Sequence, residues 1–202
     1  MNMFNNIDFK YCEYNTNFIL NQPLNVISNL IFVIVALWVW RDSKFKLSRF
    51  GLVFIAIGSI VWHASHLTIG LVLDISSIAI FAILLALDFC RHLHKKPTLA
   101  LSLILPGLVI SGLIGKLLEP WMPMLSGAFI PAVLFFVYCG VKLREEALFF
   151  SSALIMTVAI AAREMDLAMC PYISCGTHFL WHLGTGLSLV PVYVVFKKQK
   201  AA

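Results

Sequence analysis

Charged side chains are scarce in this sequence. Of its 202 residues, 12% are Asp, Glu, Lys or Arg, and 60% are hydrophobic. Soluble domains carry about 25% charged and roughly 45–50% apolar residues, so a large soluble domain is excluded. Seven membrane spans of ~20 residues each would use about 140 positions and leave room only for short loops. The composition therefore predicts a helical membrane protein.

Seven apolar runs follow one another along the chain, and polar or turn-forming residues separate them. They cover 24–40, 49–69, 71–89, 98–117, 125–141, 147–163 and 177–196. The weakest break lies within 64–72, where an uncharged tight turn near residue 70 is needed; without it the count drops to six. We predict an all-α, seven-transmembrane helix bundle. Residues 1-202 form a single integral membrane domain, with a cap segment over 1-22 and the bundle over 23-197.

The distribution of lysine and arginine supports seven spans and gives their direction. Twelve of these residues fall on one side of the predicted bundle and three on the other. Because cytoplasmic loops are enriched in Lys and Arg, the N-terminus and its cap are predicted outside and the C-terminus in the cytosol. Orientation in a membrane also explains the net charge of +5, so no nucleic acid partner is predicted. No protein partner is implied either.

Three of the five cysteines, Cys12, Cys170 and Cys175, fall on the predicted outer side. An oxidising exterior permits a disulfide among them. The sequence spacing leaves all three pairings open.

Few ionisable side chains lie inside the predicted spans, and such residues indicate a functional site. Ser59 and His63 are four residues apart on the second run, so they share one helix face. His178 and His182 repeat that spacing on the seventh run, and Asp74 lies near the start of the third. At ~1.5 Å per residue, the three histidines and the carboxylate are predicted at one depth of the outer leaflet.

Three imidazoles with one position left for water are typical of a catalytic zinc site. Asp74 is predicted to accept the proton of a zinc-bound water or to orient a ligand imidazole. Ser59 is predicted to donate a hydrogen bond to an oxyanion. Two alternatives stay open: a non-enzymatic lipid sensor or metal or haem carrier that uses the same histidines, and a purely structural polar cluster.

The same residues resemble the signatures of the alkaline ceramidase family, particularly its short bacterial members. The wider superfamily includes the adiponectin-receptor-like proteins. The resemblance spans nearly the whole chain in order. Its motifs are Cys12-Glu13, Gln22-Pro23-Leu24-Asn25, Ser28-Asn29, Gly58-Ser59-Ile60-Val61-Trp62-His63, Asp74, Arg163-Glu164-Met165-Asp166, Cys170 and Gly176-Thr177-His178-Phe179-Leu180-Trp181-His182.

The resemblance implies an enzyme that hydrolyses the N-acyl amide bond of a membrane lipid such as ceramide, releasing a fatty acid and a long-chain amine. Zinc would be held by His63, His178 and His182. Asp74 and Ser59 would lie beside the metal-bound water.

Two further expectations follow from the resemblance. The first is a disulfide between Cys12 and Cys170. The second is a multi-pass protein of the bacterial inner (plasma) membrane, whose active site faces the extracytoplasmic side and whose only implied partner is its lipid substrate.

Eukaryotic members of the family also bind calcium through acidic residues of the N-terminal segment. Glu13 and Asn15 remain of that site in this sequence. Lys10 and Gln22 stand where acidic residues are expected, so a complete calcium site is not predicted.

Overall fold

The computed structural model describes residues 11–13, 20–92 and 96–198, and within these ranges every regular element is helical. Short 3-10 turns at Ser43–Phe45 and Ser126–Phe129 supplement the α-helices. The all-α prediction is therefore confirmed. In chain order the helices are α1 Pro23–Ser28, α2 Leu30–Val39, α3 Ser48–Ser65, α4 Thr68–His92, α5 Pro97–Leu118, α6 Ile130–Leu143, α7 Glu146–Glu164, α8 Asp166–Met169 and α9 His178–Lys198.

Five of these helices, α3, α4, α5, α7 and α9, are long and apolar enough to cross a membrane. Shorter apolar stretches, Pro23–Val39 and Ser126–Lys142, occupy the first and fifth predicted runs. The first stretch is divided at Asn29 into α1 and α2. Each predicted run is therefore helical, and five of them reach the length expected of a membrane span.

The tight turn between the second and third runs is present, but it lies earlier than predicted. Helix α3 ends at Ser65, His66 adopts a left-handed conformation with φ of 54°, and α4 begins at Thr68. The turn lies within the predicted break over 64–72, a few residues before the run boundary near residue 70, because Leu67 and Ile69 continue the hydrophobic pattern past the end of the helix. Gly70, which was expected in the turn, lies inside α4.

Glycines allow α3 and α4 to pack closely, which is common at helix contacts in membranes. A Cβ atom at Gly58 would lie 2.7 Å from the Leu73 carbonyl oxygen, and one at Gly70 would lie 2.8 Å from the Trp62 Cα atom. Since backbone atoms cannot move aside as a side chain can, this contact requires glycine. It places the end of α3 directly beside the start of α4.

Replacement of Gly58 by valine is therefore expected to destabilise the bundle by about 1–3 kcal/mol, the usual cost of overpacking. Thermal unfolding of the purified protein in detergent measures this as a lower midpoint. Gly112→Val in α5 is the matched control, because it introduces the same side chain where a Cβ atom meets nothing within 4 Å. Equal midpoints for the two variants would contradict the close α3–α4 contact.

Helix α9 packs against α7, α2 and α1. Its buried residues run from His178 to Phe196. The apolar residues of its C-terminal part belong to the main apolar core. A smaller buried cluster of Tyr11, Trp62 and Met124 lies at the other end of the bundle. The first two turns of α9 belong to that end, where the polar site is built.

Candidate metal centre

Three histidine side chains meet where the end of α3 faces the start of α9. The ring centroids of His63, His178 and His182 are 4.8 to 5.1 Å apart in every pair, so they form a nearly equilateral triangle. One ligand atom from each residue lies within 4.8 Å of the other two, and all three side chains are buried. The predicted grouping of these residues is present, and it could hold a metal ion.

A buried carboxylate fixes the start of α9 and therefore the position of His178. Asp166 Oδ1 accepts hydrogen bonds from the backbone N–H groups of Thr177, at 2.7 Å, and His178, at 2.9 Å. A carboxylate at a helix N-terminus satisfies unpaired N–H groups and complements the helix dipole. Gly176, with φ of +63°, leaves room for it, because a Cβ atom there would lie 2.1 Å from Asp166 Oδ1.

Two of the three histidines are held through their Nδ1 atoms by side chains from α1. His63 Nδ1 lies 2.6 Å from Gln22 Oε1, and His182 Nδ1 lies 2.8 Å from Ser28 Oγ. Metal-binding histidines usually bind the ion through one ring nitrogen and a protein group through the other. Each of these rings therefore keeps Nε2 available for an ion.

His178 differs from the other two histidines in its hydrogen bonding. Its Nδ1 atom is buried and has no hydrogen-bond partner among the described residues. Burying an unsatisfied polar atom costs roughly 1–3 kcal/mol, and a bound metal ion would remove that cost. The three buried imidazoles could therefore hold a metal ion.

Ser59 and Asp74, the two further predicted site residues, lie on α3 and α4. The Ser59 side chain lies close to the Asp74 carboxylate across the α3–α4 contact. Ser59 is buried, whereas Asp74 is half-buried and lies between exposed apolar neighbours on α4. Within the described residues, the group of closely spaced metal-binding atoms contains the three histidines and no carboxylate. The roles of Asp74 and Ser59 beside a bound water stay predictions.

A disulfide links Cys12 to Cys170, with Cα atoms 5.4 Å apart. It is the pairing that the family resemblance implied, and Cys175 is left outside it. The Cys12 backbone N–H also donates to Asp166 Oδ2 at 3.0 Å. The N-terminal segment is thus attached to the same carboxylate that caps α9.

Glu13, one residue further on, caps α1. Its two carboxylate oxygens accept hydrogen bonds from the backbone N–H groups of Leu24, at 2.5 Å, and Asn25, at 2.8 Å. Burial raises the pKa of Glu13, and the two N–H donors oppose that rise. Of the predicted calcium-site remnant, Asn15 lies outside the described residues. Both Glu13 carboxylate oxygens already accept hydrogen bonds from backbone N–H groups.

Tyr11 covers the histidine cluster from the N-terminal side. Its buried ring has its centroid 4.2 Å from that of His178 and 5.3 Å from that of His63. Burial raises the pKa of Tyr11, and the nearby Arg163 cation opposes that rise. Sequence analysis missed Tyr11; its position next to the disulfide cysteine was the available signal.

No protein-family model, curated protein or solved structure matches this chain. The fold and the site nevertheless define a class of protein. The described part of the chain is a helical bundle with five helices of membrane-spanning length and a buried cluster of three histidines that could hold a metal ion.

Proposed function

We propose that the protein is a zinc-dependent intramembrane amidase, which hydrolyses the N-acyl amide bond of a membrane lipid such as ceramide. The observation that carries this proposal is the buried triangle of His63, His178 and His182. The closeness of Ser59 to Asp74 across the α3–α4 contact supports it, because amide hydrolysis needs groups that move a proton and stabilise negative charge. The motifs shared with alkaline ceramidases suggest the substrate class.

In the proposed reaction, water adds to the amide carbonyl carbon, the carbon–nitrogen bond breaks, and a fatty acid and a long-chain amine are released. A zinc ion bound to the three histidines would supply an acidified water and polarise the carbonyl. Asp74 accepts a proton from the attacking water and delivers one to the leaving nitrogen. Ser59 donates a hydrogen bond that stabilises the oxyanion, and it orients the Asp74 carboxylate before the reaction.

The lipid amide enters laterally, on the side of α4. Asp74 is half-buried while the histidines are buried, and Leu73 and Ile75 beside it are 43% and 59% exposed. In a bilayer these apolar side chains face lipid, so an acyl chain passing them brings its amide to the carboxylate. The lysine and arginine distribution supports seven spans with the N-terminus and the site on the extracytoplasmic side. The resemblance to short bacterial ceramidases suggests the bacterial inner membrane.

The test is mass spectrometry of a panel of N-acyl lipids incubated with the purified full-length protein. We expect a fatty acid and its matching amine from at least one lipid, loss of both products with a chelator, and recovery with added zinc. Asp74→Asn is expected to lower the rate by about 10²- to 10⁴-fold, the usual contribution of a general acid–base group. Its zinc content should equal that of the wild type.

Other results would contradict the proposal in distinct ways. Intact lipid that binds without product would indicate a sensor, and a visible absorption band after purification would indicate a haem protein. Absence of zinc from gently extracted wild-type protein would contradict a zinc-dependent mechanism. Full activity of Asp74→Asn would exclude the proton transfers assigned to this residue.

A further inference from the structure

The short helix α1 packs between α3 and α9, the two helices that carry the histidine cluster. These six residues form the first part of the apolar stretch Pro23–Val39. The side chains of α1 contact the histidines, and the direction of each hydrogen bond can be assigned from the surrounding network. That assignment shows what α1 does for the cluster.

Gln22 determines which nitrogen of His63 carries the proton. The Gln22 side chain is fully buried, and its Oε1 atom accepts a hydrogen bond from Asn25 Nδ2 at 2.9 Å. With the Gln22 amide in this orientation, Oε1 at 2.6 Å also accepts from His63 Nδ1, because an amide oxygen can only accept. Nδ1 therefore carries the proton, and Nε2 presents a free lone pair.

Ser28 does the same for His182. Its hydroxyl group donates its single proton to the Asn25 carbonyl oxygen at 2.9 Å, one helical turn back. At 2.8 Å from His182 Nδ1, the Ser28 oxygen must then accept. The longer approach of Asn29 Nδ2 to the same nitrogen, 3.3 Å, is secondary, because that amide group donates to the Asn25 carbonyl oxygen at 2.7 Å.

Helix α1 is itself held at its start, so both contacts are rigid. The Glu13 carboxylate binds the N–H groups of its first turn. The Asn21 backbone N–H donates to the Ala64 carbonyl oxygen in α3, next to His63. The residue before Glu13 is Cys12, which is fixed by the disulfide to Cys170.

We propose that Gln22 and Ser28 are positioning residues, which fix the tautomer and the ring orientation of His63 and His182, and that α1 thereby sets the metal affinity of the cluster. This inference rests on the metal-binding part of the proposed function and not on hydrolysis. Partners of this kind typically contribute 10–100-fold to metal affinity. Helix α1 is then an outer layer of the metal site.

The experiment measures the zinc affinity of the full-length protein in detergent by competition with a chromophoric chelator. Gln22→Leu and Ser28→Ala are each expected to weaken zinc binding by about 10–100-fold. Gln22→Glu is expected to bind zinc at least as tightly as the wild type, because a carboxylate also accepts a hydrogen bond from His63 Nδ1–H. Ser188→Ala is the matched control: Ser188 is equally buried, lies on α9, and donates to the Thr185 carbonyl oxygen at 2.8 Å.

Thermal unfolding of the metal-free variants separates positioning from general stability. Weaker zinc binding in Gln22→Leu, recovery in Gln22→Glu, and wild-type affinity in Ser188→Ala would support the proposal. Unchanged affinity in both α1 variants, or the same loss in Ser188→Ala, would overturn it. If Ser28→Ala does not fold, the Gln22 pair decides alone.

The outcome is separable from that of the proposed function. A wild-type protein that binds zinc but hydrolyses no lipid would contradict the proposed amidase activity. The zinc affinities of the variants would still decide the role of α1. A wild-type protein that binds no zinc would overturn both.

Discussion

Replacement of His182 by alanine is expected to remove the metal ion and, with it, all amide hydrolysis. The variant loses one of three ligands in a site where each pair of rings is about 5 Å apart. Because loss of an outer partner alone typically weakens metal binding 10–100-fold, loss of a ligand should weaken it by more than about 100-fold. Metal analysis after gel filtration, together with product formation by mass spectrometry, measures both effects.

His66→Asn is the control for the His182 variant. His66 lies at the same end of the bundle, three residues after His63, but is not one of the three clustered histidines. Its backbone is left-handed, with φ of 54°, a conformation that asparagine tolerates. This variant should keep stoichiometric zinc and wild-type activity. Full zinc content in His182→Ala would show that the histidine triangle is not the metal site.

Much of the fold follows directly from hydropathy, because each apolar run had to be buried in lipid or protein. The exact helix ends do not follow from it. Leu67 and Ile69 look like part of a span, whereas the chain turns at His66, where a left-handed residue ends α3. Local backbone conformation at such a turn depends on packing against α4, which the hydrophobic pattern of one segment does not contain.

The histidine grouping was predictable because helical spacing and depth are local properties. His178 and His182 lie four residues apart, and His63 could be placed at the same depth by counting from the turn. The side chains that hold the cluster depend instead on contacts between distant segments. Ser28 and His182 are 154 residues apart in sequence, as are Cys12 and Asp166. Only the folded chain brings such pairs together.

The N-terminal segment illustrates the same difference. By resemblance, Glu13 is a remnant of a calcium site, and Gln22 stands where that site has an acidic residue. In the structure the Glu13 carboxylate caps α1 and the Gln22 amide contacts His63. Both residues therefore act on the histidine cluster, one through α1 and the other directly. The N-terminal segment is thus held by hydrogen bonds to the backbone and does not need a calcium ion to hold it.

Asp166→Ala is expected to have the largest effect on stability among substitutions outside the histidine cluster. Asp166 is fully buried, and its carboxylate accepts hydrogen bonds from the backbone N–H groups of Cys12, Thr177 and His178. Alanine leaves three buried donors unpaired, and each costs about 1–3 kcal/mol. It also removes the cap of α9, so His178 loses its fixed position. We therefore expect a lower unfolding midpoint and weaker zinc binding together.

Asp166→Asn is the informative companion variant. Its amide oxygen can still accept from the Thr177 and His178 N–H groups. Its amide NH₂ group would face the Cys12 N–H, and two donors cannot hydrogen-bond each other. The midpoint should therefore fall between those of the wild type and Asp166→Ala, with zinc affinity closer to the wild type. If the two variants unfold alike, the contact with Cys12 dominates over the α9 cap. An Asp166→Ala protein as stable as the wild type would contradict the capping role, since no other described side chain accepts from the Thr177 and His178 N–H groups.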